Sequence, residues 1–245
     1  MIIIPMAGTS SRFLKAGYKQ PKYMLCAHNK TLFDHAVNSF KNYFKLEKFL
    51  FIVRDIDDTV AFVKQRVTAL GITDFHISIL EKETRGQAET VTLGLKEIDY
   101  QGAITIFNID TFRLNFHFPD LTQLGKGYLE VFRGKGDNWS FVKPINSNST
   151  QVYETAEKNP ISNLCCTGLY YFSDIDNYLL AYYKYLAKPQ TEWDKAELYV
   201  APLYNILIQE GLEIHYHLIN RNDVIFCGVP IEYEEFRRNY LLPSD

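Results

Sequence analysis

Small residues followed by two cations stand near the start of the chain. The small residues are Ala7, Gly8, Thr9, Ser10 and Ser11; Arg12 follows them directly, and Lys22 comes after Pro21. Small side chains let backbone N–H groups approach phosphate oxygens, while arginine adds a bidentate fork and lysine a mobile point charge. This chemistry suits a triphosphate and the charge that develops as pyrophosphate leaves. The segment has neither the G-K-[ST] of a P-loop nor the second and third glycines of a dinucleotide fingerprint.

The elements that position this loop follow from the apolar pattern. Short apolar runs predict buried strands at residues 2–4, 49–53, 75–80 and 103–109. Helical spacing predicts helices between them, at residues 31–43, 57–71 and 89–98. This alternation favours an α/β fold with a mostly parallel sheet and helices on both faces. Ligands of such sheets bind outside the carboxyl ends of the strands, which is where the small-residue loop lies.

The pattern changes after Asp110. Short strands separated by turns are predicted at residues 130–132, 139–142, 151–155 and 169–172, and helices at residues 174–186 and 199–210. No internal repeat, low-complexity tract or linker interrupts the sequence. We therefore expect one domain over residues 1–245, with a nucleotide-binding half at 1–115 and an acceptor-binding half at 116–245.

Composition and charge exclude several classes of protein. The chain has 245 residues and a formal net charge of −3, so it lacks the basic footprint of a nucleic-acid binder. Its four cysteines show no C-x-x-C spacing, its start lacks a signal peptide's positive region, and no apolar stretch is long enough for a membrane span. We expect a soluble, reduced, cytoplasmic protein. No H-E-x-x-H or G-x-S-x-G motif occurs, and His215 and His217 are expected at the surface of a strand.

At this point the sequence resembles the sugar-1-phosphate nucleotidyltransferases. These enzymes have a Rossmann-like GT-A-type fold and open with a pattern close to A-G-x-G-[ST]-R, followed by P-K. Residues 7–12 and Pro21-Lys22 match this pattern with one departure, since Ser10 stands where the family usually has glycine. Residues 197–202 are closest to members from capsule and lipopolysaccharide loci. The resemblance extends over nearly the whole chain.

The resemblance also implies which residues bind the nucleotide. The segment 84–89 is similar to the family's base-reading segment, in which Gly86 would let the base approach and Gln87 would bond its edge. Asp110 corresponds to the aspartate that holds Mg²⁺ against the triphosphate. Arg12, Lys22 and Asp110 would then be the catalytic residues. Taken alone, an aspartate at the end of a strand is also a common turn residue.

A second block resembles the part of the family that contacts the acceptor. Residues 157–163 and 166–172 are similar to its E-K-P, S-N and T-G-[LI]-Y-x-F pattern. The implied acceptor residues are Glu157 for sugar hydroxyls, Lys158 for the acceptor phosphate, Gly168 and Tyr170. Glu197 is a further candidate for the acceptor site, or else a carboxylate at a helix start.

The late segment Gly228-Val229-Pro230 departs from the family. Hexose-1-phosphate members carry a second metal aspartate two residues before that glycine, where this chain has Phe226. Asp223 is the nearest aspartate that could replace it. One carboxylate, Asp110, is therefore the expected minimum for Mg²⁺.

The reaction implied by the resemblance is Mg²⁺-dependent transfer of a nucleotidyl group with release of pyrophosphate. The donor would be CTP, UTP or dTTP, and the acceptor a sugar 1-phosphate or a similar phosphorylated molecule, for capsule or surface polysaccharide synthesis. Two alternatives stay open: a glycosyltransferase of the same fold, and a catalytically silent nucleotide-binding subunit. We expect no nucleic-acid or membrane partner. A homo-oligomer is compatible with the sequence, which does not determine the number of subunits.

Overall fold

The computed structural model describes residues 1–239, with the side chain of residue 239 excepted. The elements up to the end of the fourth long strand are β1 (Ile2–Pro5), α1 (Ser11–Lys15), β2 (Cys26–Ala27), β3 (Lys30–Thr31), α2 (Leu32–Asn38), β4 (Phe49–Val53), α3 (Thr59–Leu70), β5 (Phe75–Ile79), α4 (Gln87–Leu95) and β6 (Ile104–Phe107). Apart from α1 and the short hairpin of β2 and β3, which the apolar pattern did not predict, strands and helices alternate as predicted.

The remaining elements are richer in strands. They are β7 (Thr111–Arg113), β8 (Gly127–Arg133), β9 (Ser140–Pro144), β10 (Val152–Glu157), β11 (Leu164–Phe172), α5 (Ile175–Leu186), α6 (Leu203–Gln209), β12 (Ile214–Ile219), β13 (Val224–Phe226) and α7 (Pro230–Asn239). The change of pattern after Asp110 therefore corresponds to a real change in architecture.

One mixed sheet forms the centre of the molecule. Its strands run in the order β10-β9-β11-β6-β1-β4-β5, and β8 pairs with β11 and with β12. The strands β6, β1, β4 and β5 are parallel, whereas β11 is antiparallel to β6, β8 and β9. This confirms the predicted α/β class, with a parallel part formed by β6, β1, β4 and β5 and a Rossmann-like order of elements.

Helices cover both faces of the sheet because its strands are apolar on both sides. In β1, Ile3 points into one core, together with α4, α5 and α6. Ile2 and Ile4 point into the other core, together with α2, α3 and α7. This alternation follows from the two-residue period of a strand.

Three local predictions need correction. The helix predicted over residues 31–43 ends at Asn38, and Lys41–Tyr43 form a separate 3₁₀ turn. The helix predicted from residue 199 begins only at Leu203, directly after Pro202. His215 is buried rather than at the surface, since residues 150–151 pack beside it, and Thr150 and Glu213 bond its two ring nitrogens.

The last described helix, α7, packs against the N-terminal part of the chain. Tyr18 Oη donates to Glu234 Oε1 at 2.7 Å, and Phe13 contacts the ring of Tyr233. The division into a nucleotide half and an acceptor half stays a prediction. Over the described range, no helix is long and apolar enough to cross a membrane.

Candidate functional site

A cleft of about 710 Å³ opens at the carboxyl ends of β1 and β6. Its lining comes from the loop after β1, the segment before α4, the turn after β6 and the segment before α6: residues 5–11, 22–23, 83–87, 90, 108–110, 190, 196 and 197. All the predicted nucleotide-binding residues except Arg12 belong to this lining. Segments that are far apart in the sequence therefore meet in one cavity, as the carboxyl-end rule leads one to expect.

Ser10 combines a left-handed backbone conformation with a side-chain hydrogen bond. Ser10 lies in the left-handed region, with φ 52° and ψ 31°, which glycine adopts more readily than other residues. Its hydroxyl accepts a hydrogen bond from the Lys22 backbone N–H at 3.1 Å. A side chain at this position thus ties the loop to the segment that carries Lys22. Gly8 faces open space, since an added Cβ would meet no atom within 4 Å.

Lys22 and Asp110 form an ion pair within the cleft. The Lys22 Nζ donates to Asp110 Oδ2 at 2.5 Å, and both side chains are about one-fifth exposed. Asp110 lies in the turn between β6 and β7, and its backbone carbonyl accepts a hydrogen bond from the Cys227 N–H. The cleft therefore holds a cation and a carboxylate in direct contact.

The predicted base-reading glutamine is bonded to the end of β6. Gln87 Nε2 donates to Asn108 Oδ1 at 2.6 Å. Gly168 lies beneath this pair with φ +93°, and a Cβ there would come within 2.4 Å of Asn108 Nδ2. Position 168 therefore needs glycine because the Asn108 side chain lies against it. The acceptor prediction did not include this contact within the protein.

Position 86 likewise needs glycine because the Leu198 backbone lies against it. Its φ is +151°, and a Cβ would come within 2.5 Å of the Leu198 carbonyl oxygen. Hydrogen bonds of 2.9 Å run from the Ala88 N–H to Leu198 O and from the Leu198 N–H to Arg85 O. The segment before α6 is thus fixed against the start of α4, and this brings Glu197 into the lining of the cleft.

Glu157 lies at the end of β10 in a buried polar cluster. Ser140 Oγ donates a short hydrogen bond to Glu157 Oε2, and the buried Tyr170 lies 3.3 Å from the same Ser140 oxygen. Burial raises the pKa of Glu157, with Asp194 acting in the same direction. Tyr170 therefore supports Glu157 through Ser140, which places it behind the predicted acceptor site.

Lys158 is held by a tyrosine that the sequence analysis did not single out. Its Nζ donates to Tyr199 Oη at 2.6 Å and lies 4.0 Å from Glu157 Oε1. Burial raises the pKa of Tyr199; Glu197 adds to this effect and the nearby Arg12 opposes it. Arg12, which is exposed, thus lies on the same side of the molecule as the predicted acceptor residues.

The predicted acceptor residues fall into two groups. Glu197 lines the cleft, whereas Glu157, Lys158, Gly168 and Tyr170 do not belong to its lining within residues 1–239. Tyr199 connects the groups, because it bonds Lys158 and follows Glu197 by two residues. A Tyr next to a candidate site in the sequence gives no signal of its own, so only the fold identifies it.

Phe226, at the position of the family's second metal aspartate, packs its ring in an aromatic cluster. Its ring packs against Trp139 at 4.6 Å and Phe132 at 5.4 Å, with the Arg221 guanidinium 5.1 Å away. Asp223 lies at the far end of β13 from Asp110, because its carbonyl accepts from Leu114. Asp223 therefore does not replace the missing aspartate.

The space beside Asp110 nevertheless fits a divalent cation. Gly228 borders it, and a Cβ on that glycine would lie 3.1 Å from Asp110 Oδ2, so the missing side chain keeps the carboxylate accessible. Mg²⁺ needs one or two protein carboxylates when phosphate oxygens and water complete its shell. Within the part of the chain with described side chains, no group of three or more His, Cys, Asp or Glu residues could hold a metal ion.

Comparison with known proteins agrees with this geometry. No family model matches the chain, and no curated protein does. Among solved structures, the nucleoside-diphosphate-sugar pyrophosphorylase from Vibrio cholerae RC9 is 64% identical, with 98% of this chain and 100% of that chain covered and a TM-score of 0.95.

Two more distant structures share the fold. The inositol-1-phosphate CTP transferase from T. maritima is 13% identical over 94% of this chain and 90% of its own, with a TM-score of 0.71. The UDP-glucose pyrophosphorylase from Acinetobacter baumanii is 15% identical over 96% and 90%, with a TM-score of 0.68. Since a relative of 64% identity spans nearly its whole length, the chain belongs to the family of nucleoside-diphosphate-sugar pyrophosphorylases and is an enzyme of the nucleotidyltransferase class.

Proposed function

We propose that this enzyme transfers a nucleoside monophosphate from CTP, or from UTP or dTTP, to a sugar 1-phosphate or a similar phosphorylated molecule. An oxygen of the acceptor phosphate attacks the α-phosphorus, the bond from that phosphorus to the bridging oxygen of the β-phosphate breaks, and pyrophosphate leaves. The observation that carries the proposal is the meeting of the small-residue loop, Lys22 and Asp110 in one cleft.

The nucleotide side of the cleft suits this reaction. The backbone of the small-residue loop and Lys22 bind the triphosphate, with Arg12 at the rim, and Gln87 and Gly86 border the base. Asp110 holds Mg²⁺, which when bound neutralises phosphate oxygens and so eases the departure of pyrophosphate. The protein thus provides position and charge rather than a covalent nucleophile.

The acceptor side lies beyond Glu197. Lys158, oriented by Tyr199, binds the acceptor phosphate, and Glu157 accepts hydrogen bonds from hydroxyl groups of the acceptor. Tyr170 and Gly168 maintain the positions of Glu157 and Asn108. A partly exposed lysine beside a buried glutamate suits a molecule that carries both a phosphate and hydroxyl groups.

The alternatives are less well supported. A glycosyltransferase would need Asn108-Ile109-Asp110 as half of a metal motif, but Asn108 Oδ1 already accepts from Gln87. A silent subunit does not agree with the family assignment. A role in capsule or surface polysaccharide synthesis, a cytoplasmic location and homo-oligomer formation stay predictions.

The test combines ligand stabilisation with product analysis. The melting temperature is measured with CTP, UTP, dTTP, GTP and ATP and with nucleotide sugars, each with and without Mg²⁺, because any ligand of the folded state raises it. The stabilising triphosphate is then incubated with a panel of sugar 1-phosphates, and pyrophosphate is quantified. Lys22→Ala should lose both signals, while Lys19→Ala, an exposed lysine in the same loop, should keep them. Stabilisation by nucleotide sugars alone, without pyrophosphate release, would contradict the proposal.

A further inference from the structure

A buried ion pair lies close to the turn that carries Asp110. Arg113 Nε donates to Glu130 Oε1 at 2.7 Å, and the two side chains are 7% and 1% exposed. Arg113 is the last residue of β7, the strand that follows Asp110, and Glu130 lies in β8. Within the described part of the chain, neither residue lines the cleft. The proposed reaction therefore gives this pair no direct role.

The Arg113 side chain holds β7 against two other strands. While its Nε bonds Glu130 on β8, its Nη1 donates to the Asp223 carbonyl oxygen at 2.5 Å, directly before β13. The Arg113 backbone N–H also donates to Ser39 Oγ at 2.9 Å. A rigid guanidinium fork makes bonds in two fixed directions, which the single ammonium of a lysine does not reproduce. One side chain thus sets the position of β7 between β8 and β13.

Glu130 lies opposite an irregularity in β11. The pairing of β11 with β8 shifts at residues 167–169, so that Glu130 alone faces these three residues. Its Oε1 also accepts a hydrogen bond from Thr167 Oγ1 at 2.9 Å. The same bulge contains Gly168, whose carbonyl oxygen accepts from the Asn108 N–H at 3.1 Å. Bulges redirect the backbone next to many active sites, and here one carboxylate bonds both β7 and the bulge.

The bulge and β7 are also bonded to each other beside Asp110. Thr111 Oγ1 donates to the Thr167 carbonyl oxygen at 3.1 Å. A buried ion pair adds little net stability compared with apolar residues of similar volume. Its distinct contribution is therefore the direction of its bonds, which fix where the Asp110 turn lies relative to the cleft.

We propose that Arg113 and Glu130 are positioning residues, which act on the reaction through Asp110 and touch neither substrate. The inference rests on the proposed function, in which Asp110 holds the divalent cation. A displacement of about 1 Å in a reacting arrangement can cost about 100-fold in rate. Loosening the pair should therefore slow the chemical step, while the small-residue loop still binds the triphosphate.

The test replaces both members of the pair with apolar residues. The double variant Arg113→Met/Glu130→Met leaves no buried charge unpaired, so its melting temperature should equal or exceed that of the wild type. Its kcat for pyrophosphate release should fall about 10- to 100-fold, with an unchanged KM for the triphosphate. Mn²⁺ titrated into the nucleotide-free protein should also bind more weakly, as followed by electron paramagnetic resonance of free Mn²⁺.

Two further variants serve as controls. Lys184→Met/Glu210→Met removes an ion pair of 2.7 Å whose side chains are about half exposed, so its kcat and Mn²⁺ binding should match the wild type. Glu130→Gln can still accept hydrogen bonds through its amide oxygen, so it should retain a higher kcat than the double variant.

The outcomes separate this inference from the proposed function. A double variant with normal kcat and Mn²⁺ binding would show that the pair is not needed for positioning, while the proposed function stands. A joint loss of melting temperature, kcat and triphosphate affinity would overturn the inference in favour of a general structural role. If the wild type releases no pyrophosphate with any triphosphate, the proposed function fails and the inference with it.

A second variant replaces the double variant if circular dichroism shows that it does not fold. Thr167→Val keeps the shape of the side chain and removes the hydroxyl that donates to Glu130. It should lower kcat by about tenfold, as for one hydrogen bond to a charged group, with the KM for the triphosphate unchanged. A normal kcat in Thr167→Val would then overturn the inference.

Discussion

The Lys22 ammonium lies 2.5 Å from Asp110 Oδ2, so the lysine occupies the carboxylate that the proposed Mg²⁺ would use. We expect Lys22→Met to bind Mn²⁺ more tightly than the wild type in the absence of nucleotide, because a competing cation is removed. The same variant should lose roughly 100-fold in kcat, because the triphosphate loses a charge that stabilises its transition state. Resonance titration and pyrophosphate release measure the two effects.

The Lys22 prediction has a matched control in Lys19→Met. This lysine is exposed in the same loop and lies outside the lining of the cleft within the described range. It should change neither Mn²⁺ affinity nor kcat beyond a small general charge effect. Weaker Mn²⁺ binding in Lys22→Met would show that the lysine supports the metal site rather than competing with the metal.

Two glycines of the cleft should respond differently to alanine. A Cβ added at Gly8 would have no atom within 4 Å, so the melting temperature of Gly8→Ala should match the wild type. Its affinity for nucleoside triphosphate should fall, because the methyl group would occupy space that we assign to the phosphates. Gly86→Ala places a Cβ 2.5 Å from Leu198 O at φ +151°, so it should be strongly destabilised. Thermal denaturation with and without nucleotide distinguishes the cases. A normal affinity in Gly8→Ala would place the phosphates elsewhere.

The sequence predicts well those features that depend on local pattern. Apolar runs locate β1, β4 and β6. The small-residue loop and Asp110 can be recognised as site candidates because they stand at the ends of β1 and β6. Other features depend on partners that are distant in the chain. Gly86 faces Leu198 and Gly168 faces Asn108, so their reason for being glycine appears only once the chain is folded.

A second group of residues could not be predicted because their signals are ordinary. Tyr199 is one of 17 tyrosines, and nothing in its spacing distinguishes it. Glu130 looks like the polar member of an otherwise apolar strand, and its ion pair with Arg113 depends on a residue of another strand. His215 alternates like a surface residue, but the Thr150 segment covers it.

Glu157→Gln should raise the melting temperature at neutral pH and weaken acceptor binding. Burial raises the pKa of Glu157 above its ordinary value of 4.5, so the folded chain binds this proton more tightly than the unfolded chain. The resulting stabilisation is present below that ordinary pKa and is lost as the pH rises through the folded-state pKa. At neutral pH the neutral glutamine should therefore raise the melting temperature, by about 2–4 °C per kcal/mol. This increase in melting temperature should vanish at about pH 4.

The control for Glu157 is Glu154→Gln on the same strand. Glu154 lies 3.9 Å from Lys143 with both side chains about half exposed, so its removal should have little effect. Glu157→Gln should also raise the KM for the acceptor, whereas Glu154→Gln should not. A lower melting temperature of Glu157→Gln at neutral pH would mean that its hydrogen bonds outweigh the cost of its buried charge.

Tyr199→Phe should weaken acceptor binding selectively. The change removes the oxygen that accepts from Lys158 Nζ at 2.6 Å, so the ammonium loses its orientation. We expect the KM for the acceptor to rise by about tenfold, as for one hydrogen bond to a charged group. The KM for the triphosphate should stay unchanged. Tyr153→Phe, at an exposed tyrosine on β10, is the control, and an equal rise in both KM values would point to a general loss of structure.

The pairing of β13 with β7 has a consequence for protein synthesis. The turn that carries Asp110 is clamped by Cys227 and by Val224–Phe226, which the ribosome makes much later than the parallel strands. Since folding during translation proceeds from the N-terminus, an emerging chain can assemble β1, β4, β5 and β6 before that clamp exists. Nascent chains therefore hold the small-residue loop and Asp110 without a supported turn until β13 has been made, and we expect them to consume nucleotides only after that point.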